Sequence, residues 1–452
     1  MALATSRGDL ETLDRLIQQS DAVLLRLEKV ARVTRWQNQL KLPIALAERG
    51  ASFGKTADFE EAARLYLGRV LPLVPKQQYP KEWAATQNAL ATALVQQGRL
   101  SGGNAGTALL ARAFDLFTST LSVRNKTDTP TDWAETQANL GTVLFRQGER
   151  LAKSEGTQKL AQSVAAYEAA LTVYTKANNP ASWGTMQNNR GNVLAMQGER
   201  SDRESGLILL GRAISAYENA LSARSKTTSP SDWATTQTSL GTAYLRQGLQ
   251  SGGEIEVSNI AKAIGAYEAA LTVHSYADAP ARWAVIQTTL GIAFLRQSEL
   301  TSTQVASAAI LGKSVAAFEA ALTVRTKISA PADWALTQTN LATALLRQGE
   351  KTDGEAGKML LVKAISANEA VLTVRTLASA PAEWALTQNN LGLALAALGA
   401  RTKGTAGLAL LNRAVAAYEA ALTIFDVQNS NFQFKQVSKN LSDLRDFMSR
   451  RK

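Results

Sequence analysis

Apolar and polar residues follow a helical period along most of the chain, most clearly between residues 132 and 176. Four residues of this stretch are separated by 4, 3 and 4 positions: Trp133, Gln137, Leu140 and Leu144. A helix places them on one face, which is predicted to be buried because it holds the largest apolar groups. An alanine-rich apolar pattern follows. The spacing predicts helix A over about residues 132–150 and helix B over about 157–176, with a polar linker between them.

The same pattern returns along the chain at a nearly constant step. The phrase Pro-x-x-Trp-x-x-x-Gln recurs at a step of 50 residues, which is 51 once, with its tryptophan at Trp83, Trp133, Trp183, Trp233, Trp283, Trp334 and Trp384. A regular step of this size is typical of stacked repeats, in which each unit packs on its neighbours. The chain of 452 residues is therefore predicted to be an all-α solenoid of about eight helix pairs.

The ends of the array depart from the regular unit and predict its organisation. Residues 1–35 are predicted to be an N-terminal capping helix, residues 36–82 a degenerate first repeat, residues 83–433 seven regular repeats, and residues 434–452 a C-terminal capping helix. The residues that would face inward from the N-terminal cap are Leu10, Leu13, Ile17, Leu24, Leu27 and Ala31. At the other end, Phe434 stands at the tryptophan position and no helix B follows it.

Helix A carries a second stripe, which is polar. Its members are Glu135, Asn139, Thr142 and Arg146, again spaced by 4, 3 and 4. Stacked helices would align the equivalents into columns, one of amides and hydroxyls and one mostly of arginine. We predict that this stripe binds the partner. The candidate binding residues are Asn139, Thr142, Arg146, Asn189, Asn192, Thr242, Arg246, Arg296, Asn340, Thr343, Arg347 and Asn390.

Helix B and the turn that follows it carry structural columns. The helix B aromatics are predicted to fill the core rather than to stack on bases: Phe114, Tyr167, Tyr217, Tyr267, Phe318 and Tyr418. A basic column near the end of helix B is predicted to complement the helix dipole: Arg124, Arg224, Arg325 and Arg375. Because His274 lies in this column, it is interpreted as a structural substitution.

Composition argues against an enzyme. The chain has no cysteine and one histidine, so disulfides, thiolate metal sites and the usual nucleophile–base pairs have no residues to form them. No metal or cofactor is expected. The net charge of +11 fits an acidic partner, nucleic acid, or basic residues spread over a long solvated surface, and the last is the simplest interpretation. No signal peptide or membrane-length apolar run is recognised, which predicts a cytoplasmic protein without a membrane span.

The repeat resembles the tetratricopeptide repeat (TPR) family. Helix A matches the family pattern at Trp233, Leu240, Gly241, Tyr244 and Gly248, and helix B at Ala213, Tyr217 and Ala220. The resemblance implies a right-handed superhelix of antiparallel helix pairs with helix A on the concave side. The unit is longer than the family's usual length of about 34 residues, and the extra length is expected in the A–B linker and the B–A turn.

The asparagine column resembles the asparagine ladder of the O-GlcNAc transferase superhelix, which grips peptide backbone. Matching residues are Asn139, Asn189, Asn340, Asn390 and Asn440; Ala89, Ser239 and Thr289 interrupt the column. The resulting hypothesis is a non-enzymatic scaffold that binds an extended, acidic peptide segment. Two alternatives remain: a solenoid that binds nucleic acid through its basic residues, and a sensor or regulatory subunit of a bacterial signalling or defence system whose enzyme is a separate protein.

Overall fold

A computed structural model describes the backbone of residues 7–426 and 430–451 and the side chains of this range except residues 7–18, 20 and 21. All regular secondary structure in these residues is helical, which confirms the predicted all-α class. The chain divides into two compact units, Met1–Ala223 and Arg224–Lys452. In each unit, helices pack on their neighbours in sequence, as in a solenoid.

The first unit contains eight α-helices in its described part, from residue 7 onward. Their bounds are α1 (Arg7–Phe53), α2 (Thr56–Leu65), α3 (Pro80–Leu100), α4 (Gly103–Thr120), α5 (Pro130–Arg150), α6 (Lys153–Leu171), α7 (Pro180–Arg200) and α8 (Arg203–Ala223). A π-helical turn (Tyr66–Val70) and a 3-10 turn (Leu71–Leu73) follow α2. The pairs α3–α4, α5–α6 and α7–α8 are the A and B helices of three regular repeats.

The second unit contains nine α-helices among the described residues. Their bounds are α9 (Pro230–Ser251), α10 (Gly253–Leu271), α11 (Pro280–Glu299), α12 (Gln304–Leu322), α13 (Pro331–Lys351), α14 (Gly354–Leu372), α15 (Pro381–Arg401), α16 (Gly404–Leu422) and α17 (Asn431–Arg450). Odd-numbered helices from α9 to α15 are A helices and even-numbered ones from α10 to α16 are B helices. The last helix, α17, packs on α15 and α16 and buries Val437, Leu441 and Leu444.

The N-terminal helix differs from its predicted form. The boundary predicted at residues 35/36 lies inside α1, which runs without interruption from Arg7 to Phe53. Leu24 is 58% and Leu27 is 61% exposed, so these two side chains do not cover the first helix pair. Leu10, Leu13 and Ile17 lie outside the described side chains, and residues 1–6 outside the described backbone. The Arg32 guanidinium lies 5.8 Å from the Tyr79 ring centroid, and from about Trp36 onward the apolar residues of the helix reach the core around α2 and α3.

The regular A helices begin at proline and end close to the next helix. In the repeat that starts at Pro130, α5 ends at Arg150 and α6 begins at Lys153, so the A–B linker has two residues. Proline suits the first helical position because the missing N–H would have no partner there. The predicted linker around Gly156 is wrong, since Gly156 lies in α6. Helices of 21 and 19 residues take up most of the 50-residue unit, so its extra length lies mainly in the helices.

The core is built on a contact between a helix A glycine and a helix B aromatic. A Cβ on Gly141 would lie 2.9 Å from the Tyr167 ring, and one on Gly291 would lie 2.6 Å from the Phe318 ring. Those rings are almost fully buried. In the first regular repeat the buried aromatic is Phe117, which is 1% exposed, and not Phe114 as predicted. In the repeats of Gly141 and Gly291 this close packing leaves no room for a side chain opposite the ring, whereas Ala91 takes the glycine position in the repeat of Phe117.

The tryptophans that mark the repeats are less buried than predicted. Trp133 and Gln137 are only half-buried, whereas Leu140 and Leu144 lie in the core. The turn before each A helix partly covers the indole: Lys126 Nζ lies 5.6 Å from the Trp133 ring centroid, within the range of a cation–π contact. The centre of the buried face of helix A therefore lies to one side of the tryptophan, at small residues such as Ala134.

The basic column after helix B is bonded to the next helix A. Arg124 is 7% exposed, and its Nη1 donates to Thr136 Oγ1 at 3.0 Å and to the Asp132 carbonyl at 3.3 Å. Arg325 donates likewise to Thr337 Oγ1 at 3.1 Å. Helix B ends before these residues, and their hydrogen bonds join consecutive repeats.

A second set of arginines caps helix A of the preceding repeat. In the first unit, Arg200 donates to the carbonyls of Gly148 and Glu149 at 2.6 and 3.1 Å. In the second unit, Arg401 donates to the carbonyls of Gly349, Glu350 and Thr352. Carbonyls at the end of a helix have no partner within the helix. These bonds therefore tie each A helix to the next one; the sequence analysis does not predict them.

One helix among the described residues, α12, is long and apolar enough to cross a membrane by length and composition alone. The sequence prediction of no membrane-length apolar run does not include this helix. Within the second unit, α12 packs between α11 and α13 and buries Leu311, Val315 and Phe318. This burial is typical of a core helix in a helical array.

The repeat of α13 and α14 lacks both partners of the glycine–aromatic pairing and offers a test of it. In the second unit, Ala342 replaces the glycine and Asn368, 1% exposed, replaces the aromatic, and the Asn368 Oδ1 has no hydrogen-bond partner. We expect the double substitution Ala342→Gly with Asn368→Tyr to raise the free energy of unfolding by about 1 kcal/mol, because it buries an aromatic ring and removes the unpaired oxygen. Urea denaturation measures the change.

The single substitution Asn368→Tyr is the control for this pair. With Ala342 retained, the new ring would meet a Cβ and lower stability. If Asn368→Tyr alone stabilises as much as the double variant, the close approach of ring to glycine is not the reason for the pairing.

Candidate interaction surface

The predicted binding residues lie on one face of consecutive A helices. We call this face the A-helix stripe: Glu135, Asn139, Thr142 and Arg146 of α5, and the equivalent positions of the other A helices. Neighbouring A helices are in contact in both units, α3 with α5 and α7 with α5 in the first, and each A helix from α9 to α15 with the next in the second. The stripes of one unit therefore lie side by side.

Several predicted binding residues hold the buried tyrosines. Thr142 Oγ1 lies 2.8 Å from the Tyr167 hydroxyl, and the Tyr267 hydroxyl donates to Thr242 Oγ1 at 3.1 Å. Asn192 Oδ1 accepts from the Tyr217 hydroxyl at 2.8 Å. Burial raises the pKa of Tyr167 and of Tyr267 to about 12, so these phenols stay protonated. These three stripe residues therefore have a structural task whether or not they also bind a partner.

The asparagine column differs between its two ends. In the first unit, Asn139 Nδ2 donates to Asn88 Oδ1 at 3.3 Å, and Asn189 Oδ1 accepts from Asn188 at 3.4 Å. In the second unit, Asn340 and Asn390 are half-buried, and neither side chain has a hydrogen bond to any described residue. Amides of this kind can donate to and accept from a peptide backbone.

The arginine column is largely neutralised by carboxylates of the same protein. Arg146 pairs with Glu149 at 2.8 Å and Arg347 with Glu350 at 3.1 Å. Arg296 pairs with two carboxylates, Glu256 at 2.5 Å and Glu299 at 2.6 Å, and these bonds raise its pKa. Arg246 is half-buried, and burial lowers its pKa. A partner carboxylate would have to displace the ones already in place.

The sequence analysis missed an exposed apolar column on the stripe of the second unit. The position of Glu135 is taken by Val285 in α11, Leu336 in α13 and Leu386 in α15, which are 42%, 46% and 44% exposed. The signal was present in the sequence, because these residues lie four positions before the equivalents of Asn139. The repeat of Trp133 does not show it, because Glu135 takes this position there.

His274 belongs to the packing between repeats. It is 4% exposed, and its Nε2 has no hydrogen-bond partner. Burial, with a smaller contribution from Arg282, lowers its pKa, which keeps the ring neutral at neutral pH. The threonine that bonds Arg124 in another repeat is replaced here by Ile286, so a neutral ring suits the site. The described residues contain no group of three or more His, Asp or Glu that could hold a metal ion.

Comparison with known proteins gives matches of fold only. No family model and no curated protein matches the sequence. Similar solved structures include the C-terminal part of a TPR repeat-containing protein from Cytophaga hutchinsonii (14% identity, TM-score 0.44, 78% of this chain and 99% of that one). Others are the apo form of RapI (10%, 0.47, 93% and 98%) and the apo quorum sensor NprR from B. thuringiensis (12%, 0.44, 93% and 99%).

The helix pairs themselves carry the family features. In α5, α9, α11 and α15 helix A presents Leu-Gly and the next helix B packs its aromatic on that glycine, and helix pairs follow one another in sequence order in both units. In each unit the chain is an all-α array of helix pairs that resemble tetratricopeptide repeats and pack on their neighbours as in a solenoid.

Proposed function

We propose that the chain is a non-enzymatic scaffold that binds an extended segment of a protein partner along its A-helix stripes. The observation that supports this most is the pair Asn340 and Asn390. They lie at equivalent positions of two A helices in contact, half-exposed and without a hydrogen bond to any described residue. An extended chain has backbone N–H and C=O groups to satisfy, and side-chain amides can pair with both.

As in the hypothesis from the sequence, the proposed partner segment is extended and the proposed setting is cytoplasmic. An acidic character of the partner is not part of the proposal. Arg146, Arg296 and Arg347 pair with glutamates of the same chain, so they offer little net positive charge. Tyr167, Tyr217 and Tyr267 are buried, so these helix B tyrosines offer no stacking platform for bases. This leaves the nucleic-acid alternative without a specific supporting observation.

Selection of a random-peptide library on the purified chain tests the proposal. Enriched peptides are expected, and the double variant Asn340→Ala with Asn390→Ala should weaken their binding by about tenfold, since each amide contributes hydrogen bonds of about 1 kcal/mol. The matched control is Asn219→Ala with Asn412→Ala, two exposed asparagines on B helices.

Two outcomes would count against the proposal. One is a library from which no peptide is enriched by the folded chain. The other is a set of enriched peptides whose affinity is the same for the Asn340/Asn390 variant and for the wild-type chain.

A further inference from the structure

We infer that a groove beside α1 binds an acidic segment of a protein partner that also carries apolar side chains. This α1 groove lies between residues 25–39 of α1 and the turns after α2. Its volume is about 860 Å³, and it continues into a hollow of about 400 Å³ that shares Arg35, Pro72 and Leu73 with it. It contains none of the predicted binding residues of the A-helix stripe, so the inference does not depend on the proposed function.

The α1 groove is lined mainly by cations. Three come from α1 and one from the π-helical turn on the other side: Lys29, Arg32, Arg35 and Arg69. Among the described residues that line it, Glu28 is the one acidic residue, and it offsets at most one of the four charges. The groove is therefore a site of net positive charge.

The neighbouring sequence does not cancel this excess. Within residues 22–41 and 66–81, every charged residue other than Glu28 is basic. The nearest carboxylates beyond these segments are matched by basic residues, since Glu61 pairs with Arg64 at 2.5 Å and Glu82 follows Lys81 directly. The positive charge of the groove thus extends to its surroundings.

The groove cations have no carboxylate partner among the described residues. The ion pairs described in the first unit involve other arginines, and the Arg32 guanidinium lies 5.8 Å from the Tyr79 ring centroid. The stripe arginines differ, because Arg146 and Arg347 each pair with a glutamate. A partner carboxylate in the α1 groove would relieve repulsion between like charges without displacing an ion pair.

Apolar side chains lie between the cations and call for more than negative charge. Leu25 is 66% exposed on α1, and Pro72 and Leu73 stand opposite it in the 3-10 turn. Apolar groups of a partner would be removed from water against these residues, while its carboxylates accept charge-assisted hydrogen bonds from the guanidinium groups. A segment with both kinds of side chain therefore fits the lining better than a purely charged anion.

The lining favours protein over nucleic acid or a membrane. Tyr79 is the one aromatic residue among the described residues of the groove; it is 8% exposed and lies beside the Arg32 guanidinium. It therefore offers no stacking surface for a base. A bilayer presents a flat surface, which meets the rim of a groove but not a half-buried wall residue such as Leu73.

A labelled peptide tests the inference by fluorescence anisotropy with the full chain. The probe has about 16 residues, with leucines three and four positions apart and glutamate between them. In one control peptide lysine replaces glutamate, and in the other serine replaces leucine. We expect the probe to bind at least tenfold more tightly than the lysine peptide and about threefold more tightly than the serine peptide, and we expect added salt to weaken its binding.

Variants locate the binding site. Arg35→Glu with Arg69→Glu should weaken probe binding by at least tenfold, because two attractive contacts become repulsive. Leu25→Ser should weaken it by about threefold. The matched control is Arg99→Glu with Arg112→Glu, which makes the same change of charge at two exposed residues of α3 and α4 outside the groove. Circular dichroism checks that each variant is folded.

Four results would overturn the inference. In two of them, the Arg35/Arg69 variant binds the probe as tightly as the wild-type chain, or the lysine peptide binds as tightly as the probe. In the third, a single-stranded oligonucleotide or vesicles with anionic lipid bind more tightly than the probe and lose that binding in the same variant. The fourth is loss of probe binding in the Asn340/Asn390 variant, because the peptide would then lie on the A-helix stripe.

Discussion

The substitution Gly291→Ala is expected to lower the free energy of unfolding by about 2 kcal/mol, although it replaces glycine by the best helix former. A Cβ at this position would lie 2.6 and 2.8 Å from two atoms of the Phe318 ring. Overpacking a tight core costs about 1–3 kcal/mol, whereas the gain in helix propensity is about 1 kcal/mol. Phe318 is fully buried, so the ring has little room to move. The change is measured by urea denaturation followed by circular dichroism.

The matched control lies in the neighbouring B helix. Gly265 is in the middle of α10, is exposed, and has no atom within 4 Å of its added Cβ. Gly265→Ala is therefore expected to stabilise the chain by up to about 1 kcal/mol. The double variant Gly291→Ala with Phe318→Leu should cost less than the sum of the single changes. Equal effects of the two glycine substitutions would contradict the packing argument.

Periodicity predicts which residues form helices here because the repeat supplies the same evidence seven times. Prolines such as Pro130 mark where each A helix begins, and the 4, 3, 4 spacing identifies its faces. The depth of burial within a face is harder to predict. Trp133 is large and apolar, yet it lies at the edge of the buried arc, and the small residue Ala134 beside it is fully buried. The distance between neighbouring helices determines how deeply each side chain is buried, and the spacing of residues along one helix does not give that distance.

Contacts between repeats account for most of what the sequence analysis missed. The arginine column suggested a charged surface, but the partners of Arg296 are Glu256 in the preceding repeat and Glu299 one turn away. Residues of the same polar stripe also differ in role. The Thr242 hydroxyl accepts a hydrogen bond from a buried phenol, whereas the Asn340 side chain makes no hydrogen bond to a described residue. The sequence gives the residue types of a column, but the partners of each side chain depend on which helix packs next to it.

The substitution Arg401→Ala is expected to destabilise the second unit by about 2–3 kcal/mol. Its guanidinium donates to the carbonyls of Gly349, Thr352 and Glu350 at 2.6, 2.8 and 2.7 Å. Hydrogen bonds from a charged donor contribute about 1.5–3 kcal/mol each when isolated, and water compensates part of this loss at a half-buried site. Arg401→Lys should cost about 1–2 kcal/mol, because an ammonium cannot reach several carbonyls with a planar fork.

The matched control for Arg401 is Arg413→Ala. Arg413 makes an exposed ion pair with Glu369 at 2.7 Å, and such pairs contribute at most about 1 kcal/mol. Thermal unfolding of the three variants ranks them, and hydrogen exchange should show the largest loss of protection at the end of α13, whose carbonyls lose their donor. A loss at Arg413 as large as that at Arg401 would refute the capping role.

The pattern of substitutions within the chain points to the same role for Arg401. The guanidinium passes over a glycine of the preceding helix B: a Cβ on Gly357 would lie 2.7 Å from Arg401 Nη1 and would also overlap the Thr352 carbonyl, and a Cβ on Gly156 would overlap Arg200 Nη1. Where serine or glutamate replaces this glycine, at Ser307 and Glu256, the capping position holds lysine or leucine instead of arginine. The substitution Gly357→Ser is therefore expected to lower the free energy of unfolding of the wild-type chain by more than that of the Arg401→Ala variant. Equal effects in the two backgrounds would mean that the glycine serves another contact.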